Sequence, residues 1–491
     1  MTELCTSFIA GRFTDGAGAQ RLPVINPHDE TVVAELAEAS AAEVARAVDA
    51  ARAAFAKGDW RRANVAQRQA VLRRIAALIR EREDELVRRE LANTGIPIRQ
   101  IRERHVRRAA YNFEFFAEYI GQAAGESYEQ EAPYLTIVRR EPVGVAALIA
   151  PWNAPLALAT MEMAGALAFG NCCILKPSEL TPLEFVTLME IARDAGLPDG
   201  VIGLVNGRGT VTGKALVEHP GVDVVAFIGG TETGRSIGRT AGGNLKKYTA
   251  ELGGKSANII TAQSNRERAL DAALLGIYSN NGQQCLAGSR ILVEESIAEE
   301  FIAGFVARAQ RIRVGDPSDM ATEVGPVISR AQYDRVLRFA GEAEILTGGT
   351  RAPGFDKGYY IAPTVARAHD NSLPLCQEEI FGPFATILTF RDIDEAIALA
   401  NDSQFGLVAY LWCDHMPTVM KAADLLAAGT LWVNTPVARD LRVPFGGFKN
   451  SGVGRTGGHY SRALFTEEKV LTLPMAEFPL AKLGEPAPGE A

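Results

Sequence analysis

No run of residues in this chain is apolar for long enough to cross a bilayer, so an embedded protein is not expected. Cysteine is scarce, six in 491 residues with no Cys-x-x-Cys pair. Neither a disulfide framework nor a metal site is therefore expected, and a reducing compartment is the natural home. An excess of basic charge is also lacking. The 51 lysines and arginines stand against 59 carboxylates, a net charge of -8, with the signs mixed along the chain. Nucleic acid is not an expected partner. Met1 to Ala10 lacks the basic region and apolar core of an export signal, and the expectation is a soluble, cytoplasmic protein with no membrane partner. Internal repeats are absent. Low complexity is confined to the end, where 479–491, most clearly Gly484 to Ala491, is expected to be a disordered tail.

What is present is ordinary globular sequence, 47% apolar and 22% charged, long enough for two or three domains. Phe8 to Phe13 reads as a hairpin turning at a glycine. Ser40 is placed to cap a helix reaching Lys57, with Glu43 as its capping-box partner. One long charged helix is expected from Val65 to Thr94, its charges a solvated face, stopped by Gly95 and Pro97. Another begins at Arg107-Arg108, with aromatic residues assigned to core. From Leu135, β-branched runs alternate with helical segments: Thr136 to Arg139, Gly144 to Ile149, Asn171 to Leu175, Gly200 to Val205 and Val222 to Ile228. That alternation predicts an α/β fold with a doubly wound parallel sheet, whose ligand lies beyond the carboxyl ends of the strands.

Four strand ends carry chemistry. Asn153 follows Ile149 and Trp152 in a loop braced by two prolines, and an amide there suits a carbonyl oxygen becoming an oxyanion. Lys176 and Glu179 follow the next strand. Gly229-Gly-Thr-Glu-Thr-Gly234 leads into a helix whose backbone amides could meet a phosphate, although a plain turn has the same composition. Glu251 stands beside two glycines at the end of a fourth strand. Further on, Ser279 to Arg290 sets one thiol, Cys285, among amides and small residues rather than in the apolar run where a structural cysteine usually sits. A lone cysteine in such a loop is either a nucleophile or a bystander until its company is known.

Pro151-Trp-Asn, Lys176-Pro-Ser-Glu, Glu251-Leu-Gly-Gly-Lys-Ser, Gly282-Gln-Gln-Cys, Glu378-Glu-Ile-Phe-Gly-Pro and Pro444-Phe-Gly-Gly together, in this order, resemble the NAD(P)-dependent aldehyde dehydrogenase superfamily. The likeness runs from Phe8 to about Leu473. It implies a Rossmann-like NAD-binding domain (1–120 and 141–251), an α/β catalytic domain (252–440) and a small β oligomerisation flap (121–140 and 460–478), assembled as a homodimer or homotetramer. It further implies Cys285 as the nucleophile that forms a thiohemiacetal and then a thioester. Asn153 and the Cys285 backbone amide would hold the oxyanion, Glu251 would activate the hydrolytic water, and Lys176 would belong to the same catalytic set. For the cofactor it implies Ile149, Trp152, Lys176, Glu179, Gly209, Gly213, Phe227, Gly229, Gly230, Leu252, Glu379 and Phe381. Glu179 would favour NAD by accepting the ribose hydroxyls and repelling a 2'-phosphate, with NADP as the alternative. One departure stands out. Many members carry a second glutamate soon after the late Ser-Gly-x-Gly-Arg motif, but here Arg455 runs into Thr456-Gly-Gly458.

For the substrate, the likeness implies a tunnel lined by Arg108, Leu158, Met161, Gln284, Leu286 and Phe445. The stretch from Ala438 to Gly447, with Gly457 to Ser461, is similar to the subgroup acting on hydroxymuconic and aminomuconic semialdehydes of aromatic catabolism. There Arg108, with Arg439 or Arg442, would grip a substrate carboxylate, a task suited to a guanidinium fork. A surface or subunit-contact role for each arginine stays open. So do a broad-range oxidiser of aromatic or aliphatic aldehydes, a coenzyme A-acylating enzyme and a non-catalytic protein on the same scaffold. Phe465 to Leu473 reads as a strand, which in the family joins a partner's sheet.

Overall fold

The computed structural model describes residues 3–129, 133–341 and 343–484. The expected tail beyond 484 lies outside the described residues. Phe8–Ile9 and Arg12–Phe13 form the hairpin, and Ser40 caps the helix Ala41–Lys57 by accepting the Glu43 amide. The reciprocal half of that capping box is not made, because the Glu43 carboxylate takes the Thr14 hydroxyl at 3.1 Å. A complete box forms one helix later, between Asn64 and Gln67.

The single helix expected from Val65 to Thr94 is two, Val65–Glu81 and Glu83–Thr94, broken at Arg82. Glu83, Asp84 and Glu85 make a favourable acidic first turn for the second helix, and Arg82 is tied to Glu85 and Glu190. Gly95 ends it in the left-handed conformation, as its position after the last helical residue suggests.

The largest sheet holds eight strands. Its parallel centre runs Lys247–Glu251, Val224–Ile228, Val145–Ile149, Cys172–Lys176, Ile202–Leu204, with antiparallel pieces at each edge. The chain builds outward from Val145–Ile149 in one direction, then returns to its other side at Val224–Ile228. The topological switch point, where such sheets bind ligands, therefore lies between the loops after Ile149 and Ile228. These strands are buried on both faces, which is why they read as unbroken apolar runs.

A second, seven-stranded sheet takes Ala257–Ile260 and Arg290–Glu294 at its centre, flanked by Phe384–Phe390 on one side and Val408–Trp412 on the other. The Cys285 loop leads into Arg290–Glu294, so the second sheet presents this loop to the carboxyl ends of the first. Thr136 to Arg139, grouped above with the doubly wound strands, instead belongs to Tyr134–Pro142 in a separate antiparallel sheet with Glu126–Glu129 and Thr466–Pro474. Thr466–Pro474 pairs along its whole length and is exposed from Glu467 onward.

Candidate active site

The amide-rich loop before Cys285 is a brace. Asn280 and Asn281 adopt left-handed backbone angles (φ 56° and 57°), which asparagine tolerates better than most residues. Asn280 Nδ2 donates to the Asn153 carbonyl at 2.6 Å, and Asn281 Nδ2 to the carbonyls of Gly95 and Pro326 at 3.1 and 2.8 Å. Gly282 has φ +72°, and a Cβ there would fall 2.0 Å from the Gly382 carbonyl oxygen. Only glycine lets the two loops meet. Asn153 Nδ2 donates to the Gln283 carbonyl at 2.9 Å, so the amide side chain is fixed beside the thiol with its second proton uncommitted to that bond.

Cys285 is half-buried where two cavities join. Burial pushes its thiol up to about 12, Glu379 and Glu251 push the same way, and Arg439 and the Leu286 N–H oppose them. Glu251, the last residue of its strand, is buried, and neither carboxylate oxygen has a hydrogen-bond partner among the described residues. Burial holds its carboxyl well above the usual range; Glu162 adds to this, while Arg439 and Arg455 oppose it. A carboxyl, a thiol and an amide thus line the same two cavities.

Asn153, Leu158, Ile228, Glu251 and Cys285 line both cavities. The smaller, about 230 Å³, is also walled by Trp152, Gly229, Gly230, Leu252, Glu379 and Phe381. Trp152 meets Phe381 edge to face at 5.1 Å. Phe381 holds an uncommon φ of 64°, its carbonyl pinned by Gln332 at 2.7 Å. Glu379 accepts the Gly254 amide at 2.9 Å, and burial lifts its carboxyl to about 7. The helix Thr231–Gly243 begins at Gly230 with no side-chain cap, so its first N–H groups are open to an anion.

Ile149, Phe227, Lys176, Glu179, Gly209 and Gly213 are not in that wall. Ile149 and Phe227 lie in the strands beneath, and a Cβ on Gly229 would strike the Phe227 ring at 2.5 Å. Lys176 is buried, 3.5 Å from the Glu179 carboxylate, and its stem would be 3.8 Å from a Cβ on Gly213. Gly209–Gly213 forms a wide helical turn beside them. The structure brings Lys176, Glu179 and Gly213 together at the end of Cys172–Lys176, the strand beside Val145–Ile149, and Lys176 does not reach the thiol's cavities.

The larger cavity, about 610 Å³, is lined by Arg108, Leu158, Met161, Gln284, Leu286, Arg439 and Phe445. Arg108 Nε donates to Asn112 Oδ1 at 3.0 Å, and Asn112 in turn donates to the Ala157 carbonyl and Thr160. The Arg439 guanidinium lies over the Phe445 ring, 3.7 Å from its centroid, with Nη2 3.2 Å from the Met161 sulfur. Burial, then Arg439, brings Arg108 down to about 10. Neither arginine forms an ion pair with a described carboxylate. Arg442 is not brought to this wall: its guanidinium is 78% exposed and grips Asp440 at 2.6 Å. Sequence reasoning missed His105, Tyr111 and Trp412 on this wall, and Gln332 and Arg335 on the other. The run Glu103 to Tyr111, which contains Arg108, was the available signal for the first two. Among the described residues, no cluster could hold a metal ion.

A thiol, a buried carboxylate and an amide at the switch point of a doubly wound sheet, with a glycine-led helix beside them, define an oxidoreductase site. The sequence profile of the aldehyde dehydrogenase family matches residues 13–471, and the chain belongs to that family. It is therefore an oxidoreductase. It is 43% identical over 455 residues to 5-carboxymethyl-2-hydroxymuconate semialdehyde dehydrogenase of Escherichia coli, covering 91% of this chain and 96% of that one. Among solved structures it is similar to HpcC from Thermus thermophilus, with a TM-score of 0.95 at 40% identity over 98% of this chain and 95% of that one. The NAD+ complex of an aldehyde dehydrogenase from Bacillus cereus aligns at 0.94 and 36% identity, covering 96% and 97%. No helix among the described residues is long and apolar enough to cross a membrane.

Proposed function

We propose that this enzyme oxidises a semialdehyde carrying a carboxylate, of the hydroxymuconic type, to the corresponding acid. The observation that carries this reading is the pair Arg108 and Arg439, two guanidiniums that make no direct ion pair with a described carboxylate, on the wall of the cavity that reaches Cys285. Holding two like charges in a partly buried wall costs energy that an arriving anion returns. The named activity of the Escherichia coli relative supports the same class.

In this reading the Cys285 sulfur, once deprotonated, adds to the aldehyde carbon. The second Nδ2 proton of Asn153 and the Cys285 backbone N–H hold the oxygen as it becomes an oxyanion. NAD held in the smaller cavity would supply the hydride acceptor, which would leave a thioester on Cys285. Glu251 takes a proton from water, the oxygen adds to the thioester carbonyl, and the C–S bond breaks to release the acid and the thiolate. Arg439 and the Leu286 N–H favour that thiolate. Trp152, Phe381 and Glu379 would hold the cofactor in the smaller cavity, the open N–H groups of the helix after Gly230 would suit its phosphates, and Glu179 with Lys176 would meet a ribose.

The apolar part of the cavity wall, with Leu158, Met161, Leu286, Trp412 and Phe445, favours a second reading, a broad-range oxidiser of aromatic or aliphatic aldehydes. NADH formation with a panel of carboxylated semialdehydes and uncharged aldehydes separates the two. The highest kcat/KM on a carboxylated semialdehyde is expected; preference for benzaldehyde-type or aliphatic substrates would overturn the proposal. We also propose a homo-oligomeric, cytoplasmic enzyme divided at residues 251 and 252 into cofactor and catalytic parts. The long exposed strand Thr466–Pro474 supports assembly through its sheet.

A further inference from the structure

The hydrolytic role given to Glu251 raises the question of what decides its protonation, since the second glutamate that many family members carry after the late glycine motif is missing here. The structure holds another carboxyl close by. Glu162 lies in the otherwise apolar helix Pro155–Ala168, one turn beyond Leu158 on the face that Leu158 and Met161 present to the substrate cavity. It is buried, and neither of its oxygens has a hydrogen-bond partner among the described residues. The same is true of both Glu251 oxygens and of Arg439 Nε. Arg439 is held at this place by the Phe445 ring and the Met161 sulfur, next in sequence to Glu162.

We propose that Glu162 is a positioning residue for the hydrolytic step: it shares the Arg439 guanidinium with Glu251 and thereby sets when Glu251 is free to accept a proton from water. The inference rests on Glu251 being the base.

The physical argument is a competition. Two buried carboxyls lie near one partly buried guanidinium, whose charge stabilises one carboxylate better than two. Burial lifts Glu162 to about 7, with Arg439 opposing. Glu251 is lifted well above its ordinary range by burial, again opposed by Arg439, and pushed further by Glu162. Ionised Glu162 therefore competes with Glu251 for the charge of Arg439 and favours the protonated form of Glu251. The other charged groups bearing on the set are Arg455 on Glu251, Cys285 beside Glu251, and Arg108 on Arg439. Removing the Glu162 charge leaves Arg439 to Glu251 alone, so the base becomes available at lower pH.

The test measures the rate of thioester hydrolysis against pH, using an uncharged aldehyde and NAD so that no substrate carboxylate occupies Arg439. In Glu162→Gln, which keeps the shape, the acid limb should move down by about one pH unit. Glu162→Asp should keep a limb nearer the wild type. Arg439→Gln should move it up. An unmoved limb in a folded Glu162→Gln enzyme, or a shift upward, would overturn the inference, because a residue that merely packs lowers the plateau without displacing the limb. If Glu162→Gln does not fold, Arg439→Gln decides, and an unmoved limb there has the same force. Failure of the underlying base assignment looks different: Glu251→Gln would then leave hydrolysis as fast as in the wild type.

Discussion

Replacing Arg108 with methionine removes one guanidinium from the cavity wall while keeping an apolar stem of similar length. Arg108 is partly buried, aimed by Asn112 and held against the like charge of Arg439, so its charge is poorly compensated until an anion binds. Losing one partner of such a desolvated charge pair costs about 2–5 kcal/mol, and the low end applies because Arg439 remains. A loss of about 2–3 kcal/mol corresponds to roughly a 30- to 150-fold drop in kcat/KM. The drop should fall on a carboxylated semialdehyde and mostly in KM, since the carboxylate is gripped alike in ground and transition states. Uncharged aldehydes should change by no more than about threefold, in line with a surface-type substitution of under 1 kcal/mol. Initial rates of NADH formation on both substrate types provide the assay. An equal fall on both would mean that Arg108 shapes the tunnel, and no fall on either would remove it from substrate recognition.

Cys285→Ala should abolish NADH formation while NAD still binds, seen as retained quenching of protein fluorescence; measurable turnover would refute the nucleophile. In Glu179→Gln, the preference for NAD over NADP should narrow by roughly 1 kcal/mol, as expected for removing one partly exposed like charge; an unchanged ratio of kcat/KM values would place the ribose elsewhere. Glu162 and Glu379 have carboxyls lifted by burial to about 7 from an ordinary 4.5. Their contribution to stability is therefore full below pH 4.5 and lost as pH rises to about 7. Glu379→Gln should flatten the fall in Tm across that window, and an unchanged slope would show that the carboxyl is not held neutral.

Much of the site was legible because it is local. Asn153, Gly229 and Glu251 stand at or just beyond strand ends, and the pattern that marks a strand also marks its end. Cys285 stood out because the amides and glycines around it satisfy a buried loop, a need that leaves its own composition. Choices made by tertiary contact were not legible. Arg439 and Arg442 are three residues apart in one loop, yet Arg439 is held in the cavity against Met161, far away in sequence, while Arg442 is exposed and pairs with Asp440. Arg82, where the helix breaks, is tied to Glu190, more than a hundred residues away. Thr136 to Arg139 has the β-branched content of a doubly wound strand, yet its partner is Thr466–Pro474, near the other end of the chain. Glu162 left one faint trace, a single charge in an apolar helix, four residues after Leu158.

The division of labour between Cys285 and Glu251 is tested most directly by mixing Glu251→Gln enzyme with excess NAD and aldehyde and following NADH in the first turnover. The expected result is a rapid burst close to one NADH per subunit, then turnover slowed by about a hundredfold or more, with an acyl adduct on Cys285 visible by intact mass. A burst rate that falls as far as the steady rate, with no adduct, would contradict the assignment of Glu251 to hydrolysis.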